Sequence, residues 1–482
     1  MRKSLAIVIF LLVVGNARAL RDNSIAGDGD VTISCKITNP KEGPFFIIKK
    51  NALTGEEKTV SSIEIDERKE LNTFRFESDS FQLVYLNYQD ISVPIFVAQG
   101  QNVTLSFDAN DINNTIAFTG PESNINNYLV AKHKKLRRSF VSDLRMGYSS
   151  SLTDFSKKND SVYHEFKNLL KMFIPTKNEV NKAFIYYEEC DLFARWAILR
   201  MNFPDYHFHF TKEKIILTSD YYHFLNSLPV ETSYGLLSEN YVNLLSMIID
   251  FEIRRTFKET GLSIKEEQLL YLNKKYDLAK TFVANEVVNE FVTTQRLLSY
   301  FNLGFEDSFA EKLQNAKTVF TKNRFLQFAI DQFELRRKIG KGNVAPDFDF
   351  TDIQGKKVSL SAYKGQNVFI NVWSPGCHGS LEELPSLTEI QKQFKVEDKI
   401  IFLNIYNESD IENLKEFIGT NYLAGIHGLA GGWESSFNKL YFINSTPRYI
   451  LINKEGKVID PFAPRPSSPE LLPLLKSLTT NK

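Results

Sequence analysis

Short runs in which apolar and polar residues alternate fill the first part of the chain. Turn residues such as Thr54-Gly55 and Gln99-Gly100 separate these runs, and this combination is typical of strands with one buried face. The runs cover residues 31–37, 45–48, 74–76, 81–86, 94–98, 103–107 and 115–118. We therefore predict a small antiparallel β-sandwich over residues 20–122.

From residue 123 onward the apolar residues recur at helical spacing. Tyr241, Leu244 and Ile248 give one example, and glycines are sparse up to Gly340. Pro175, Pro204 and Pro229 are predicted to interrupt the helices, as is Gly261. The pattern predicts a central all-α domain over residues 123–340.

In the last part of the chain, segments with strand-like alternation of apolar and polar residues follow and precede segments with helical spacing. Its predicted elements are a hairpin of residues 348–350 and 358–360, a buried strand at 368–373, a helix from residue 378, a strand at 400–405, a helix at 411–418, a hairpin of residues 448–452 and 457–459, and a final helix from Ser468. This order predicts an α/β domain over residues 341–482. The whole chain is thus predicted to be multidomain.

Composition and charge agree with a multidomain globular protein. At 482 residues the chain is long enough for about three domains of ordinary size. It carries 58 Lys and Arg against 58 Asp and Glu, so the charge balance predicts no nucleic-acid partner. The basic residues near Lys132 and Lys135 are interpreted as one solvated helix face.

The first residues predict export. Met1-Arg2-Lys3, an apolar stretch and Ala17-Arg18-Ala19 have the layout of a secretory signal peptide, residues 1–19. The apolar stretch is too short to span a bilayer, and no similar run follows. The sequence therefore predicts a protein that does not span the membrane.

Three cysteines are present, and their settings differ. Cys35 lies in a strand-like run and Cys190 in an aromatic helical run, so both are interpreted as small buried hydrophobes. His207 and His209 would share one side of an extended segment, but no third or fourth ligand is close in sequence. We therefore predict no metal site and no cofactor.

Cys377 is the candidate for chemistry. The strand that ends at Trp373 and the turn Ser374-Pro375-Gly376 bring this thiol to the start of a predicted helix. Free amide groups and the positive end of the helix dipole favour the thiolate there, and the thiolate is the form that attacks disulfides. His378 either lowers the pKa of the Cys377 thiol further when it is protonated, or is an exposed loop residue.

These residues also carry a resemblance. Trp373, Cys377, Glu383 and Pro385 resemble the active-site segment of TlpA/ResA-like thioredoxin-fold proteins of bacterial envelopes, and the opening segment at residues 342–348 is similar too. The resemblance implies a thioredoxin-like fold for the C-terminal domain. Together with the signal peptide, it implies a periplasmic or cell-envelope location.

Three positions depart from the family pattern of two cysteines separated by two residues. Gly376 stands where the family has a second Trp, Gly379 where it has Pro, and Ser380 where it has the second Cys. A hydroxyl cannot replace the second thiol in disulfide exchange. Ser380 can still hydrogen-bond the Cys377 thiolate.

The resemblance implies further site residues. Pro447 stands where the family has a cis-proline that packs near the sulfur and leaves backbone groups free to pair with a substrate peptide. Glu383 stands where the family has a carboxylate that exchanges protons with the thiols. The candidate catalytic set is therefore Cys377, Ser380, Glu383 and Pro447.

Three functions are compatible with these observations. The first is a monothiol protein that acts on protein thiols or disulfides through Cys377 and needs an external reducing thiol. The second is a redox-inactive binding or scaffold protein of the cell envelope, with an envelope protein as its partner. The third is a peroxidase, which the Ala-Pro-Asp-Phe segment at residues 345–348 suggests and the residues before Cys377 match only loosely.

Overall fold

A computed structural model describes most of the chain from residue 30 onward. The described residues are 30–65, 71–78, 80–121, 123–136, 144–175, 178–258, 261–304, 306–408, 410–421, 423–433 and 435–479. The predicted signal peptide lies outside them. The chain forms two compact units, residues 1–245 and 246–482.

Eight strands lie in the part of the first unit that the structure describes. They are β1 Asp30–Thr38, β2 Phe45–Lys50, β3 Glu57–Ile63, β4 Asn72–Glu77, β5 Gln82–Tyr88, β6 Ile91–Val97, β7 Asn102–Asp108 and β8 Ala117–Thr119. They form two four-stranded sheets with the orders β4-β1-β7-β8 and β3-β2-β5-β6. Buried side chains of both sheets, such as Ile33, Phe45, Val84 and Leu105, belong to one hydrophobic cluster.

Strand pairing in this region differs from the prediction at one point. β1 and β7 are parallel, with Thr32 opposite Asn102, whereas every other pair of strands in these two sheets is antiparallel. A parallel pair needs a long crossover, and here strands β2 to β6 provide it. Pro94 lies in β6, an edge strand, where the missing N–H breaks no ladder.

Helices follow the strands. Those before residue 340 are α1 Ile112–Thr115, α2 Ser123–Leu136, α3 Leu144–Tyr148, α4 Leu152–Phe173, α5 Glu179–Thr211, α6 Glu239–Thr256, α7 Ile264–Ala279, α8 Glu286–Asn302, α9 Glu306–Val319 and α10 Leu326–Arg337. Short 3-10 helices cover Ser219–Ser227 and Ser233–Leu237. Among the described residues from 123 to 340, none belongs to a named strand.

Three sequence-based expectations fail in these helices. α5 continues through Pro204, where we predicted a break, because the helix buries residues on both sides of it, including Phe203 and His207. His207 and His209 therefore lie on a helix rather than on an extended segment, and the His207 ring bonds the Tyr148 carbonyl. Lys132 is buried in an ion pair with Glu188 and Asp191 rather than solvated.

The C-terminal region contains the remaining elements. They are β9 Asp349–Asp352, β10 Lys357–Ser359, β11 Asn367–Trp373, α11 His378–Gln391, β12 Ile400–Tyr406, α12 Ile411–Asn421, β13 Ile426–Leu429, α13 Ser436–Tyr441, β14 Arg448–Ile452, β15 Val458–Asp460 and α14 Leu471–Thr479. Two short 3-10 helices, Leu360–Tyr363 and Val396–Asp398, complete it. The seven strands form one mixed sheet in the order β10-β9-β13-β12-β11-β14-β15.

β11 is an inner strand of this sheet, between β12 and β14, and all seven of its residues are buried. It runs parallel to β12 and antiparallel to β14. Val368, Ile370 and Val372 face one hydrophobic cluster, whereas Phe369 belongs to a second cluster and Trp373 to a third. Because both faces of the sheet are covered, this strand holds the residue that follows it in a fixed position.

The outer end of the sheet at β15 is closed by the segment just before β9. The Gly342 N–H donates to the Val458 carbonyl over 2.7 Å, and the Val458 N–H donates to the Asn343 carbonyl over 2.9 Å. The Ala345 N–H donates to the Gly456 carbonyl over 2.9 Å. At the other end, β10 is only three residues long.

The described residues bear on two predictions, the burial of Cys35 and Cys190 and the lack of a membrane-spanning helix. Cys35 and Cys190 are buried and unpaired, as the sequence predicts. Burial raises the pKa of both thiols, that of Cys190 to about 12. Within the described ranges, no helix combines the length and the apolar character that a membrane span needs.

Candidate functional site

Cys377 lies between the buried inner strand β11 and helix α11. Cys377 is the N-cap residue of α11, with extended backbone angles (φ −100°, ψ 108°). Its carbonyl accepts hydrogen bonds from the N–H groups of Ser380, over 2.9 Å, and Leu381, over 3.2 Å. The side chain is partly exposed to solvent, so a reagent can reach the sulfur.

The sulfur faces the loop before β14. The Cys377 Sγ–H donates to the Thr446 carbonyl over 3.2 Å, and the Thr446–Pro447 peptide bond is cis, as predicted. A methyl group placed on Gly379 would lie 3.6 Å from Pro447 Cδ. The structure therefore brings together the thiol and the proline that are 70 positions apart in sequence.

Opposing influences act on ionisation of this thiol. Partial burial raises the pKa of Cys377. Hydrogen bonds from the Ser380 and Thr446 side chains and from the amides of Ser380 and Gly379 lower it by more. The pKa of Cys377 therefore lies below that of an ordinary thiol. The bond from Sγ–H to the Thr446 carbonyl exists only in the thiol form. The sulfur makes no full N-cap hydrogen bond, so the amides act on it at longer range.

Ser380 lies directly beneath the thiol in the first turn of α11. Its side chain is 1% exposed, and its Oγ has no conventional hydrogen-bond partner among the described residues. A buried hydroxyl without a partner is unfavourable by about 1–3 kcal/mol. The nearby sulfur is the acceptor that the Ser380 hydroxyl can serve when Cys377 ionises.

Glu383 is buried and bound to the segment before the last helix. Its carboxylate accepts hydrogen bonds from the Ser467 N–H and from Ser467 Oγ, both over 2.8 Å. Burial raises the pKa of the Tyr449 hydroxyl, and the Glu383 carboxylate raises it further, while Arg465 opposes the increase. Glu383 therefore fixes α11 to the residues that precede α14.

Glu383→Ala is expected to destabilise the C-terminal unit. The substitution removes the acceptor of two hydrogen bonds and leaves the Ser467 groups without partners, so the free energy of unfolding should fall by about 2–3 kcal/mol. Urea unfolding followed by circular dichroism measures the change.

Glu382→Ala is the matched control for this prediction. Glu382 is the neighbouring residue on the same helix, but it is exposed, and its carboxylate pairs with the exposed His378 ring over 3.1 Å. Its loss should change the free energy of unfolding by less than about 0.5 kcal/mol. Equal effects of the two substitutions would contradict the anchoring role of Glu383.

His378 is an exposed residue of the first turn of α11. Its side chain is 87% exposed and pairs with Glu382 one turn along α11. Of the two interpretations of this residue, the exposed one agrees with the structure.

The ends of the parallel strands supply neighbours that sequence reasoning missed. Ser374 Oγ donates to Glu408 Oε1 over 2.7 Å, and the Tyr406 hydroxyl donates to Glu408 Oε2 over 3.2 Å. The Cys377 N–H donates to the Ser374 carbonyl over 3.1 Å, so this network holds the turn that carries the thiol. The order of parallel strands β11 and β12 could have indicated that Ser374 and Glu408 meet.

In the part of the chain that the structure describes, no group of three or more His, Cys, Asp or Glu side chains is arranged to hold a metal ion.

Residues 340–471 match the Redoxin family model. Among curated proteins, the chain is 31% identical over 147 residues to the thiol-disulfide oxidoreductase ResA of Bacillus cereus, covering 30% of this chain and 83% of that protein. It is 31% identical over 130 residues to ResA of Bacillus subtilis, covering 26% of this chain and 69% of that protein.

A solved structure of a thiol-disulfide oxidoreductase from Bacteroides fragilis is also similar, with 26% identity and a TM-score of 0.26. The match covers 28% of this chain and 99% of that one. The mixed sheet, the cysteine at the start of α11 and the cis-proline loop define a thioredoxin-fold protein. The chain belongs to the TlpA/ResA-like family of these proteins.

Proposed function

We propose that this protein is an exported, monothiol member of its family that forms mixed disulfides with other proteins through Cys377. The observation that carries the proposal is the position of the Cys377 sulfur, accessible at a helix start and 3.2 Å from the carbonyl before Pro447. A thiol–disulfide oxidoreductase-like function is supported by the similarity to ResA. The proposed location is the periplasm or cell envelope.

The reaction consists of two exchanges. The Cys377 thiolate attacks one sulfur of a substrate disulfide, a new sulfur–sulfur bond forms, and the other half leaves as a thiolate that takes up a proton from water. An external thiol, as its thiolate, then attacks the mixed disulfide and releases Cys377. Ser380 cannot perform this second step, so the chain itself supplies no resolving thiol at this position.

Each of the other site residues has a separate proposed role. Ser380 donates a hydrogen bond to the thiolate as it forms. Pro447 packs near the sulfur and leaves neighbouring backbone groups free to pair with an extended polypeptide. Glu383 positions α11 through Ser467, because both of its oxygens already accept hydrogen bonds and its side chain is only 7% exposed.

A redox-inactive scaffold is the second candidate, and the cysteine positions favour it. Cys35 and Cys190 are buried, so neither is available to resolve a mixed disulfide. Under this alternative, the N-terminal regions would contact an envelope partner. We further propose that residues 20–122 form a β-sandwich domain, 123–340 an all-α domain and 341–482 the thioredoxin-like domain.

Alkylation of Cys377 at a series of pH values tests the leading proposal. Because its pKa is lowered, the rate of alkylation by iodoacetamide should reach half its maximum at a lower pH than in the urea-unfolded chain. Ser380→Ala removes the hydroxyl and should move that midpoint upward. The modified residue is identified by mass spectrometry of the digested protein.

The unfolded protein is the internal control, since all three of its thiols are ordinary. A folded midpoint equal to the unfolded midpoint would contradict the proposed thiolate and favour the scaffold. An unchanged midpoint in Ser380→Ala would contradict only the role of Ser380.

A further inference from the structure

Trp433 is an exposed aromatic residue at the edge of the sheet where Cys377 also lies. It lies in the loop between β13 and α13 and is 48% exposed, whereas Trp373 at the end of β11 is fully buried. Gly431 and Gly432 before it have positive φ angles of 94° and 74°, which a glycine adopts without strain. Trp is enriched among the residues that carry binding energy at interfaces, so this exposed ring is a candidate contact for another molecule.

The loop that carries Trp433 is held in place. The buried Asn438 side chain donates through Nδ2 to the Gly432 carbonyl over 3.0 Å and to the Trp433 carbonyl over 3.2 Å. The same nitrogen lies 2.7 Å from Asn407 Oδ1. The Trp433 backbone is therefore tied to the residue that follows β12, so its ring requires no loop ordering before it contacts a ligand.

Asn407 and Glu408 connect the Trp433 loop to the turn before Cys377 through hydrogen bonds. The Asn407 N–H donates to the Trp373 carbonyl over 2.8 Å, and the next residue, Glu408, binds Ser374. A methyl group on Gly432 would lie 3.9 Å from the Glu408 carbonyl carbon. Since β11, β12 and β13 are parallel, their carboxyl ends place Trp433 and Cys377 at the same edge of the sheet.

We propose that Trp433 is a specificity-determining residue that packs against a large apolar or aromatic side chain beside the cysteine of a polypeptide substrate. This inference rests on the proposed function and adds the substrate class, a polypeptide disulfide with apolar residues next to its cysteine. A small polar disulfide has no apolar side chain that could pack against the ring. Under this proposal Trp433 acts on substrate selection and takes no part in the exchange between sulfurs.

Three disulfide probes test this inference with the full chain. The first two are disulfide-linked dimers of a short peptide whose cysteine is flanked on both sides by Phe or by Ser, and the third is 2-hydroxyethyl disulfide. In each reaction the disulfide of the probe breaks, Cys377 Sγ bonds to one half and the other half leaves as a thiolate. Mass spectrometry at timed intervals measures the rate of mixed-disulfide formation.

The wild type should react about five times faster with the Phe probe than with the Ser probe. Trp433→Ser should abolish this preference, Trp433→Phe should keep most of it, and the rate with 2-hydroxyethyl disulfide should be unchanged in both. Leu440→Ser is the matched control. Leu440 is also an exposed apolar residue, but it lines a surface cleft together with Asp347 and Lys357, so this variant should keep the preference for Phe.

Two contrary outcomes are distinguishable. If the wild type reacts with the probes but shows no preference for Phe, or if Trp433→Ser keeps the Phe preference of the wild type, this inference is overturned and the proposed function stands. If the wild type reacts with no probe, including 2-hydroxyethyl disulfide, the proposed function fails and this inference fails with it.

Discussion

Ser380→Cys should shorten the lifetime of a mixed disulfide at Cys377 by at least a factor of about 100. The introduced thiol lies one helical turn from Cys377, at a buried position whose present hydroxyl has no conventional partner among the described residues. As its thiolate it can attack Cys377 Sγ, release the bound partner as a thiolate and close an intramolecular disulfide. Well-placed intramolecular groups act at effective concentrations far above the millimolar thiols that otherwise resolve the complex.

The measurement starts from the isolated mixed disulfide between the variant and a peptide thiol. Release of the peptide is followed by chromatography without added thiol, and wild type is expected to hold the peptide under the same conditions. Ser386→Cys is the control, because it adds a thiol to α11 beyond the first helical turn. Equal release by the two variants would contradict the geometry proposed for residues 377 and 380.

Cys377→Ala should reduce mixed-disulfide formation to the background of the solution reaction. The two remaining cysteines are buried, and burial raises the pKa of both, so neither can replace Cys377 as a nucleophile. Trapping with 2-hydroxyethyl disulfide, followed by intact-protein mass spectrometry, measures the loss.

Cys35→Ala serves as the comparison, because it removes a thiol from β1 and leaves Cys377 intact. It should keep the wild-type rate of exchange while lowering the free energy of unfolding by about 1 kcal/mol through the lost buried sulfur. Continued exchange in Cys377→Ala at the wild-type rate would disprove the monothiol proposal. A cellular phenotype that survives this substitution would favour the scaffold.

The sequence predicted those elements whose apolar pattern is strong and local. β11 is a continuous buried run, and β1, β5 and β7 alternate clearly, so their periods are visible without the fold. β3 was not predicted because Glu57–Ile63 is an edge strand with few buried side chains. β13 was not predicted because its four residues, which include His427 and Gly428, show no alternation of apolar and polar side chains. Gly428 is required there because the Phe350 ring packs closely against its backbone.

The candidate site was predictable where motif residues define it. The pairing of Cys377 with the loop at Pro447 came from the resemblance, since no local pattern joins residues so far apart. The partners Glu408 and Ser467 were not predicted, because their contacts with Ser374 and Glu383 exist only in the folded sheet. Lys132 was misjudged for the same reason: its buried partners lie on α5.

Closure of the C-terminal sheet beside β15 has a consequence for aggregation of the protein. An open sheet edge is a template on which a foreign chain can add as a new strand and start aggregation. Here residues 342–345 already occupy the backbone groups beside β15, and β10 offers only three residues at the opposite end. The C-terminal sheet therefore offers another chain little exposed edge on which to add a strand.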